Sequence, residues 1–412
     1  MSVCRTPFSR LKIIPLPPTS PLMLSCASSV RRGSLQSLQT LQVKVTLGHN
    51  GSLPYRRRAL SGQPSPPRKI IFSGIQPTGV PHLGNYLGAL RQWAKLQDES
   101  DKSTRLIYSL VDLHAITIRQ DPARLRQWKK ESLAMLLAIG LDPVRSIIFH
   151  QSDVSAHAEL MWILSCQAST GYLGRMTQWK DKTSNEKEGN ERLKLGLFSY
   201  PVLQAADVLV HQTTHVPVGH DQAQHLEFAR ELANGFNHLH GDGILTAPET
   251  LISPAKRVMS LTDPGSKMSK SHPNPKSRIL LTDSEDVIKA KLKAAVTDSV
   301  EGITYDPQHR PGVSNLLDII YHARTSETSP SDPADGVGQT AIAKDMENMS
   351  LRVVKERATE AVESIVKPIR ERYAEFIHDE AWLAEAAAAG AFKAQISAAE
   401  TIQNVKKAVG LA

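Results

Sequence analysis

The sequence predicts an α/β protein with a doubly wound parallel sheet, followed by a helical C-terminal region. Strand-like and helical segments alternate from Ile70 onward, and this βαβαβ order favours a parallel sheet with helices on both faces. A loop rich in glycine and proline directly follows the first strand, at the carboxyl edge where such sheets bind ligands. After Pro275 only helical patterns remain.

The first half of the sheet is predicted from three short apolar strands with two helices between them. The strands are expected at residues 70–73, 106–111 and 146–149, and the helices at 83–97 and 123–139. Apolar residues recur at helical spacing in the first helix, which indicates one buried face. They are Leu83, Leu87, Leu90 and Ala94.

The second half of the sheet is predicted to follow an insertion at residues 154–198, which begins as a helix and then becomes very polar. The elements expected after it are a helix at 200–207, a strand near 215–218, a helix at 221–234 and a strand at 257–261. The sequence therefore predicts one domain at residues 69–274 that contains the whole sheet.

Residues 275–412 are predicted to form a helical domain. Helical patterns are expected at 284–296, 313–324, 339–377 and 380–410. The last of them contains an alanine-rich run, and alanine has the highest helix propensity. Residues 325–336 are rich in Ser, Pro and Asp and indicate a solvated loop.

The N-terminal segment differs sharply in charge from the rest of the chain. Residues 1–69 contain eleven Lys or Arg and no acidic residue, and the first acidic residue is Asp98. A composition rich in Arg and Ser and free of acids is typical of mitochondrial and chloroplast transit peptides. Residues 1–68 are therefore predicted to be a disordered transit peptide, with the mitochondrial matrix as the favoured destination; a basic arm that binds nucleic acid is the alternative.

The basic character of the whole chain comes from that segment. The chain has a net charge of +8, but after residue 69 it holds 38 basic and 41 acidic residues, a net charge of −3. Any RNA contact outside the N-terminal segment must therefore use a local basic patch.

Cysteine content and hydropathy exclude further classes of protein. Only Cys166 lies outside the N-terminal segment, so the rest of the chain is expected to hold neither an internal disulfide nor a multi-cysteine zinc site. No apolar stretch has the length of a membrane span, so no membrane contact is expected.

The loop after the first strand carries the first motif that indicates chemistry. His82 and Asn85 stand at the start of the following helix, where free backbone N–H groups and the helix dipole favour an anion. Gly84 between them allows a ligand to approach the backbone closely. A histidine in this position is often only a cap, so this motif depends on a second one for its interpretation.

The second motif is Lys267-Met268-Ser269-Lys270-Ser271, about 185 residues further along the chain. Its two ammonium groups and two hydroxyls suit a departing pyrophosphate, on which negative charge grows. An isolated Lys-x-x-Lys is usually a solvated turn, but the pair of motifs favours the binding of a nucleoside triphosphate.

In this order the two motifs resemble the signature sequences of class I aminoacyl-tRNA synthetases. Four further runs resemble the tryptophanyl-tRNA synthetases of the bacterial and organellar type: 72–79, 111–117, 205–207 and 216–219. The resemblance extends over roughly residues 69–412. It implies a Rossmann-like catalytic domain, a homodimer interface in the insertion and an anticodon-binding helical domain at the C-terminus.

The resemblance also implies residues for nucleotide binding and catalysis. The residues expected at ATP are Gln76, Pro77, Thr78, Gly84, Asn85, Gly219, His220, Asp221, Val258, Met259, Lys267, Met268, Ser269, Lys270 and Ser271. The residues expected in catalysis, with Mg²⁺ on the phosphates, are His82, Asn85, Lys182, Lys267, Ser269 and Lys270. His220 stands where the family usually has Glu, so the ATP ribose is expected to contact the backbone and Asp221.

The amino-acid pocket is implied around Asp207, which in the resemblance binds the indole nitrogen of tryptophan. The other residues implied there are Phe72, His114, Tyr200, Gln204 and Gln222. A tyrosine enzyme also needs a buried acceptor, for a phenol O–H, so Asp207 alone does not exclude tyrosine. Either site rejects an analogue that lacks the donor, because the acceptor is then left without a partner.

The predicted function is activation of L-tryptophan by ATP and its transfer to tRNA(Trp). This chemistry depends on positioning and charge stabilisation, because the attacking carboxylate is already ionised. The alternatives are a tyrosyl-tRNA synthetase, a small-molecule nucleotidyltransferase, and a synthetase-derived RNA-binding or splicing protein. The nucleotidyltransferase would not need the long helical region, and the RNA-binding protein should have lost the two motifs.

Overall fold

A parallel five-stranded sheet organises the part of the chain that the structure describes. The computed structural model describes residues 68–183, 194–219, 222–252, 258–270, 272–324 and 336–412. The strands are β1 (Ile70–Ile75), β2 (Arg105–Leu110), β3 (Ile147–His150), β4 (His215–Val218) and β5 (Glu249–Ile252). Their order is β3-β2-β1-β4-β5, and every neighbouring pair is parallel. The predicted doubly wound α/β fold is confirmed.

The central strand β1 separates the two halves of the sheet. Ile71 is in register with Leu106 of β2 on one side and with His215 of β4 on the other. The chain runs from β1 through β2 to β3 and then crosses back to β4. The switch in strand order therefore lies between the carboxyl ends of β1 and β4, which is where ligands bind in open α/β sheets.

Helices connect the strands and cover both faces of the sheet. In chain order they are α1 (Leu83–Asn85), α2 (Arg91–Glu99), α3 (Asp112–Ala115), α4 (Pro122–Ala138), α5 (Ala156–Ser165), α6 (Thr170–Arg175), α7 (Thr177–Thr183), α8 (Leu195–Leu209), α9 (Ala223–His240), α10 (Glu285–Lys293), α11 (Pro311–Arg324), α12 (Val337–Asp345), α13 (Leu351–His378) and α14 (Glu380–Ala408). A π-helical turn, Tyr86–Leu90, joins α1 to α2. None of the helices within the described ranges combines the length and apolarity needed to cross a membrane.

Alternating strand residues point into two hydrophobic cores, one on each face of the sheet. Ile71 and Tyr108 join a core with residues of α4, α10, α11 and α13. Phe72 and Phe149 join the other core, with residues of α5, α8, α9 and the second half of α14. The period of two in side-chain direction is what a strand buried on both faces requires.

The last helix, α14, crosses the edge strand β3 in contact with its backbone. A Cβ atom built on Gly390 would lie 1.7 Å from the carbonyl oxygen of Ile148, so only glycine fits at the crossing. Leu383 before the crossing belongs to one core, and Ala394 and Ala398 after it belong to the other. This helix therefore covers an edge of the sheet that would otherwise be open to pairing with another chain.

The strand predicted at 257–261 is wrong, as far as residues 258–261 are described. These residues pair with the lysine loop: the amide of Met268 donates to the carbonyl of Val258 (3.0 Å), and that of Ser260 donates to Ser266 (2.8 Å). The fifth strand is instead β5, which lies beside β4. The four residues of β5 directly follow a proline, and so short a segment has no pattern that identifies a strand from sequence.

Some helix boundaries also differ from those expected. The helical pattern at 339–377 is interrupted, since α12 ends at Asp345 and α13 begins at Leu351. Helix α8 begins at Leu195, inside the predicted insertion. Residues 1–67, with most of the predicted transit peptide, and residues 325–335, with most of the predicted loop, lie outside the described residues.

Candidate active site

A cavity of about 410 Å³ opens at the switch point of the sheet. Its walls include residues 74–76 at the end of β1 and 216–219 at the end of β4, and α8 supplies further lining residues. Eight predicted site residues line it: Phe72, Gln76, His114, Tyr200, Gln204, Asp207, Gly219 and Gln222. The structure therefore brings together, in one cavity, all six residues predicted for the amino acid.

Asp207 is a buried, ionised acceptor in this cavity. Helix α8 carries it on the face that packs against the sheet, and it is 2% exposed. Its Oδ2 accepts a hydrogen bond from His114 Nε2 at 2.8 Å, and its Oδ1 accepts from His157 Nδ1 at 2.7 Å and from Gln151 Nε2 at 2.6 Å. Burial alone would raise the pKa of Asp207, but the hydrogen bonds from His114 and His157 outweigh it and lower the pKa to about 2.

Gln151 and His157 are functional candidates that the sequence analysis missed. Gln151 directly follows β3 and is fully buried, and its position at the carboxyl end of a strand was a usable signal. His157 is also fully buried, in the first turn of α5. Nothing in the apolar pattern of that helix indicated a contact with Asp207, which lies 50 residues further along the chain.

The polar side of the cavity is formed by Tyr200 and three glutamines. The Tyr200 hydroxyl donates to Gln178 Oε1 at 2.8 Å. Gln204 Nε2 donates to Gln222 Oε1 at 3.2 Å. Burial raises the pKa of Tyr200 to about 12, so its hydroxyl stays protonated. Gln178, from α7, is a further lining residue that the sequence analysis did not identify.

His82 and Asn85 form a reciprocal cap at the start of α1. The backbone amide of Asn85 donates to His82 Nδ1 at 3.2 Å, and the amide of His82 donates to Asn85 Oδ1 at 3.1 Å. Burial, followed by the charges of Lys270, Arg278 and Lys267, lowers the pKa of His82 to about 3. The ring is therefore neutral, and since Nδ1 accepts, its proton is on Nε2.

Gly84, which lies between His82 and Asn85, leaves room for the His82 ring. A Cβ atom on Gly84 would lie 3.1 Å from His82 Nδ1 and 3.6 Å from Met268 Cβ. A side chain at this position would crowd the His82 ring and would contact the lysine loop at an ordinary van der Waals distance.

The lysine loop lies directly against the first motif. Lys270 Nζ donates to the carbonyl oxygen of Gly79 at 2.9 Å. The segment after the loop pairs with the start of α1, because the amide of Leu83 donates to the carbonyl of Ile279 at 2.8 Å. Burial lowers the pKa of Lys270 to about 8. The structure therefore brings together two motifs that lie about 185 residues apart in the chain.

Asn315 fixes the segment beside the lysine loop. Its Oδ1 accepts from the amide of Met259 at 2.9 Å, and its Nδ2 donates to the Met259 carbonyl at 3.1 Å. Val258 is buried, and Met259 forms a bridge with Lys267. No sequence pattern indicated this role for Asn315, which lies on α11, 56 residues away.

Some predicted residues cannot be placed. His220, Asp221 and Ser271 lie outside the described residues, and so does the side chain of Lys182 in α7.

One loop joins the cavity to the lysine motif. Gln76 lines the cavity, and Gly79 on the same loop receives Lys270. An aromatic ligand with a hydrogen-bond donor could therefore lie against Asp207 while an anionic leaving group meets the ammonium groups at the other end of the loop. This arrangement suits the attack of one bound molecule on a phosphate of another.

Comparison with known proteins identifies the family. The profile of the tRNA synthetases class I (W and Y) matches residues 66–367, more than half of the chain. The chain belongs to this class I synthetase family. The synthetase is also 41% identical over 358 residues to the mitochondrial tryptophan–tRNA ligase of Schizosaccharomyces pombe (strain 972 / ATCC 24843), a match that covers 84% of this chain and 96% of the relative.

Solved structures of bacterial enzymes resemble this class I synthetase along most of its length. A tryptophanyl-tRNA synthetase from Mycoplasma pneumoniae has a TM-score of 0.70 and 31% identity, and the match covers 84% of this chain and 98% of that one. A tryptophanyl-tRNA synthetase from Campylobacter jejuni, complexed with ADP and tryptophan, has a TM-score of 0.68 and 33% identity, and the match covers 83% and 100%. The Rossmann-like synthetase fold with C-terminal helices is thus confirmed.

Proposed function

We propose that this class I synthetase activates L-tryptophan with ATP and transfers it to tRNA(Trp). The tryptophan carboxylate attacks the α-phosphorus, the bond to the β-phosphate breaks, and pyrophosphate leaves. A hydroxyl of the terminal tRNA ribose then attacks the activated carbonyl, and AMP leaves. The observation that carries the proposal is the buried carboxylate of Asp207, which three donors orient inside the cavity at the switch point.

Asp207 supports tryptophan as the amino acid. Its low pKa leaves a carboxylate that only accepts hydrogen bonds, and an indole N–H only donates. A phenol would bring acceptor lone pairs as well, which this carboxylate does not satisfy. The names of the Schizosaccharomyces pombe relative and of the tryptophan-bound Campylobacter jejuni structure support the same choice.

The other predicted residues of the cavity would hold the rest of the amino acid. Tyr200 and Gln222 lie on its polar side and would take the amino group, with Gln204 bonded to Gln222. Phe72 and His114 would enclose the ring, since both line the cavity.

ATP would lie along the loop that joins the cavity to the lysine motif, with its phosphates toward Lys267, Ser269 and Lys270. The neutral His82 ring would donate from Nε2, since its Nδ1 is engaged by the amide of Asn85. Lys270, held at the Gly79 carbonyl, would move to the leaving pyrophosphate as charge develops there. The structure of the Campylobacter jejuni enzyme with ADP supports a nucleotide at this site.

The remaining nucleotide contacts are proposed for residues around the same loops. They are Gln76, Pro77, Thr78, Gly84, Asn85, Gly219, Val258, Met259 and Met268 within the described residues, and Lys182, His220, Asp221 and Ser271 outside them or without a described side chain. Among the described residues no group of three His, Cys, Asp or Glu could hold a metal ion. Mg²⁺ is therefore proposed to arrive with the phosphates of ATP.

The wider biology of the chain is proposed from its organisation. The helical region at 275–412 would bind the tRNA anticodon, and the insertion at 154–198 would form a homodimer interface. The acid-free N-terminal segment and the mitochondrial Schizosaccharomyces pombe relative support import into the mitochondrial matrix.

The test is ATP–pyrophosphate exchange by the full chain with each of the twenty amino acids and Mg²⁺. Exchange with tryptophan alone is expected. Exchange with tyrosine instead would assign Asp207 to a phenol. A folded protein that binds tRNA but exchanges with no amino acid would replace the proposal with an RNA-binding role.

A further inference from the structure

A chain of hydrogen bonds leads from Asp207 through two buried histidines to the C-terminal helix. His157 Nε2 lies 3.3 Å from His211 Nε2, and His211 Nδ1 lies 3.2 Å from the hydroxyl oxygen of Ser397 on α14. Arg105 Nη1 at the start of β2 donates to the same hydroxyl oxygen at 3.2 Å. Neither histidine was singled out by its sequence pattern.

The two ends of this chain fix the direction of its hydrogen bonds. A guanidinium can only donate, and an ionised carboxylate can only accept. With one proton on each imidazole, Arg105 donates to Ser397, Ser397 to His211 Nδ1, His211 Nε2 to His157 Nε2, and His157 Nδ1 to Asp207. Each ring nitrogen then has a partner in its proper role. The neutral state of His211 agrees with its pKa, which burial holds well below the usual value.

The two imidazoles are buried and packed against aromatic rings. His211 stacks on Phe72 with ring centroids 5.8 Å apart, and Phe149 contacts both imidazoles at 5.6–5.7 Å. His157 is fully buried and His211 is 1% exposed. Phe72 also lines the cavity, so the ring that supports His211 is itself a wall of the pocket.

We propose that His157 and His211 are positioning residues for tryptophan recognition, which hold Asp207 through a hydrogen-bond chain anchored on Ser397 of the C-terminal helix. This inference rests on the proposed function, because it assigns to Asp207 the indole N–H. It adds that α14, although remote in sequence, helps to set the orientation of the amino-acid acceptor.

The decisive variants are His211→Phe and Ser397→Ala. Phenylalanine keeps an aromatic ring against Phe72 and Phe149 but removes both hydrogen bonds. Ser364→Ala on α13 is the matched control, because within the described part of the chain its hydroxyl bonds to the carbonyl of Ala361 in its own helix and to no other group. The substrates are tryptophan and its analogue with sulfur in place of the indole N–H, compared by pyrophosphate exchange.

Loss of the hydrogen-bond chain should weaken recognition of the indole N–H of tryptophan and should change nothing else. For His211→Phe, kcat/KM for tryptophan is expected to fall about 3- to 10-fold, the effect of one neutral hydrogen bond, while the value for the sulfur analogue and the KM for ATP stay unchanged. Ser397→Ala should show a smaller loss in the same direction, and Ser364→Ala none. Equal losses for both substrates, or no loss in either chain variant, would overturn the proposal.

Imidazole ¹⁵N spectra of the histidine-labelled full chain test the hydrogen bonds without any substrate. The protons are expected on Nδ1 of His157 and Nε2 of His211, and Ser397→Ala should perturb His211 Nδ1. A proton on Nε2 of neutral His157 would contradict the proposed hydrogen-bond chain, even if exchange with tryptophan is normal. If the wild type exchanges with another amino acid instead, the proposed function fails, and these spectra still decide whether the chain exists.

Discussion

The acceptor capacity of Asp207 leaves room for one donor beyond its described partners. A carboxylate offers about four lone-pair sites. Oδ1 receives two donors, from His157 and Gln151, and Oδ2 receives one, from His114. The remaining site is therefore on Oδ2, next to His114, which lines the cavity.

Replacing Asp207 with Asn should weaken tryptophan recognition strongly. The amide has a single acceptor oxygen and no charge, so it cannot receive three protein donors and the indole N–H together. A lost hydrogen bond to a charged group corresponds to about a 10- to 100-fold lower kcat/KM for tryptophan in the exchange assay. The KM for ATP serves as the internal control and should not change. Unaltered tryptophan kinetics would remove Asp207 from the site.

The lowered pKa of Lys270 predicts a loss of activity in mild alkali. Burial disfavours the charged ammonium and brings its pKa to about 8, and in the proposed mechanism only the charged form stabilises the leaving pyrophosphate. The kcat/KM for ATP, which reports ionisations of the free enzyme, is therefore expected to be full below pH 8 and to fall as the pH rises through that value.

The conservative variant Lys270→Arg distinguishes this cause from general alkaline damage. A guanidinium stays charged throughout the accessible range, so the alkaline fall should disappear even if the maximal rate is lower. The same fall in the arginine variant would assign the ionisation to another group.

At the scale of elements, sequence patterns predicted best those segments in which apolar residues form a run or recur at helical spacing. The strands β1 to β4 and the helices α4, α11 and α14 lie near their predicted bounds, because these patterns reflect burial in the two cores. The strand β5 is too short to give a recognisable pattern. Residues 258–261 resemble a strand in composition, because an extended, half-apolar segment looks the same in sequence whether it pairs with a sheet or with a loop. The difference lies in tertiary hydrogen bonds from Met268 and Asn315.

The crossing of α14 over β3 predicts a large effect of a single methyl group. Gly390→Ala would place a Cβ 1.7 Å from the Ile148 carbonyl oxygen, so the helix must move away from the strand. We expect the free energy of unfolding to fall by about 2 kcal/mol or more, although alanine itself favours a helix by about 1 kcal/mol. Chemical denaturation measures the change.

A glycine in an open helical position provides the control for that substitution. A Cβ on Gly235 of α9 would meet nothing within 4 Å, so Gly235→Ala should stabilise the protein by about 1 kcal/mol. Equal midpoints for the wild type and Gly390→Ala would show that α14 does not press on β3 in solution.

At the scale of the whole molecule, the site depends on contacts that no local pattern contains. The motif residues and the six residues proposed for the amino-acid pocket could be named from the sequence, because their types and order resemble those of a family. Apart from Gln151 at the end of β3, the partners that orient them could not, since His157, His211 and Asn315 act through hydrogen bonds between segments 50 or more residues apart. Such partners become visible only when the sheet and both layers of helices are assembled.

The same assembly predicts that residues 1–67 are dispensable for amino-acid activation. Ser65–Ala412 forms one compact unit, and the described residues that line the cavity begin at Phe72. Without residues 1–67 the chain keeps 40 basic and 41 acidic residues, so non-specific RNA binding at low salt should weaken as nine positive charges are lost. Pyrophosphate exchange with tryptophan should stay within about twofold of the full chain, as for changes away from a site. A truncated protein that folds but no longer catalyses exchange would place part of the N-terminal segment in the active site. Deletion of residues 380–412, by contrast, should unfold the edge of the sheet that α14 covers and abolish exchange.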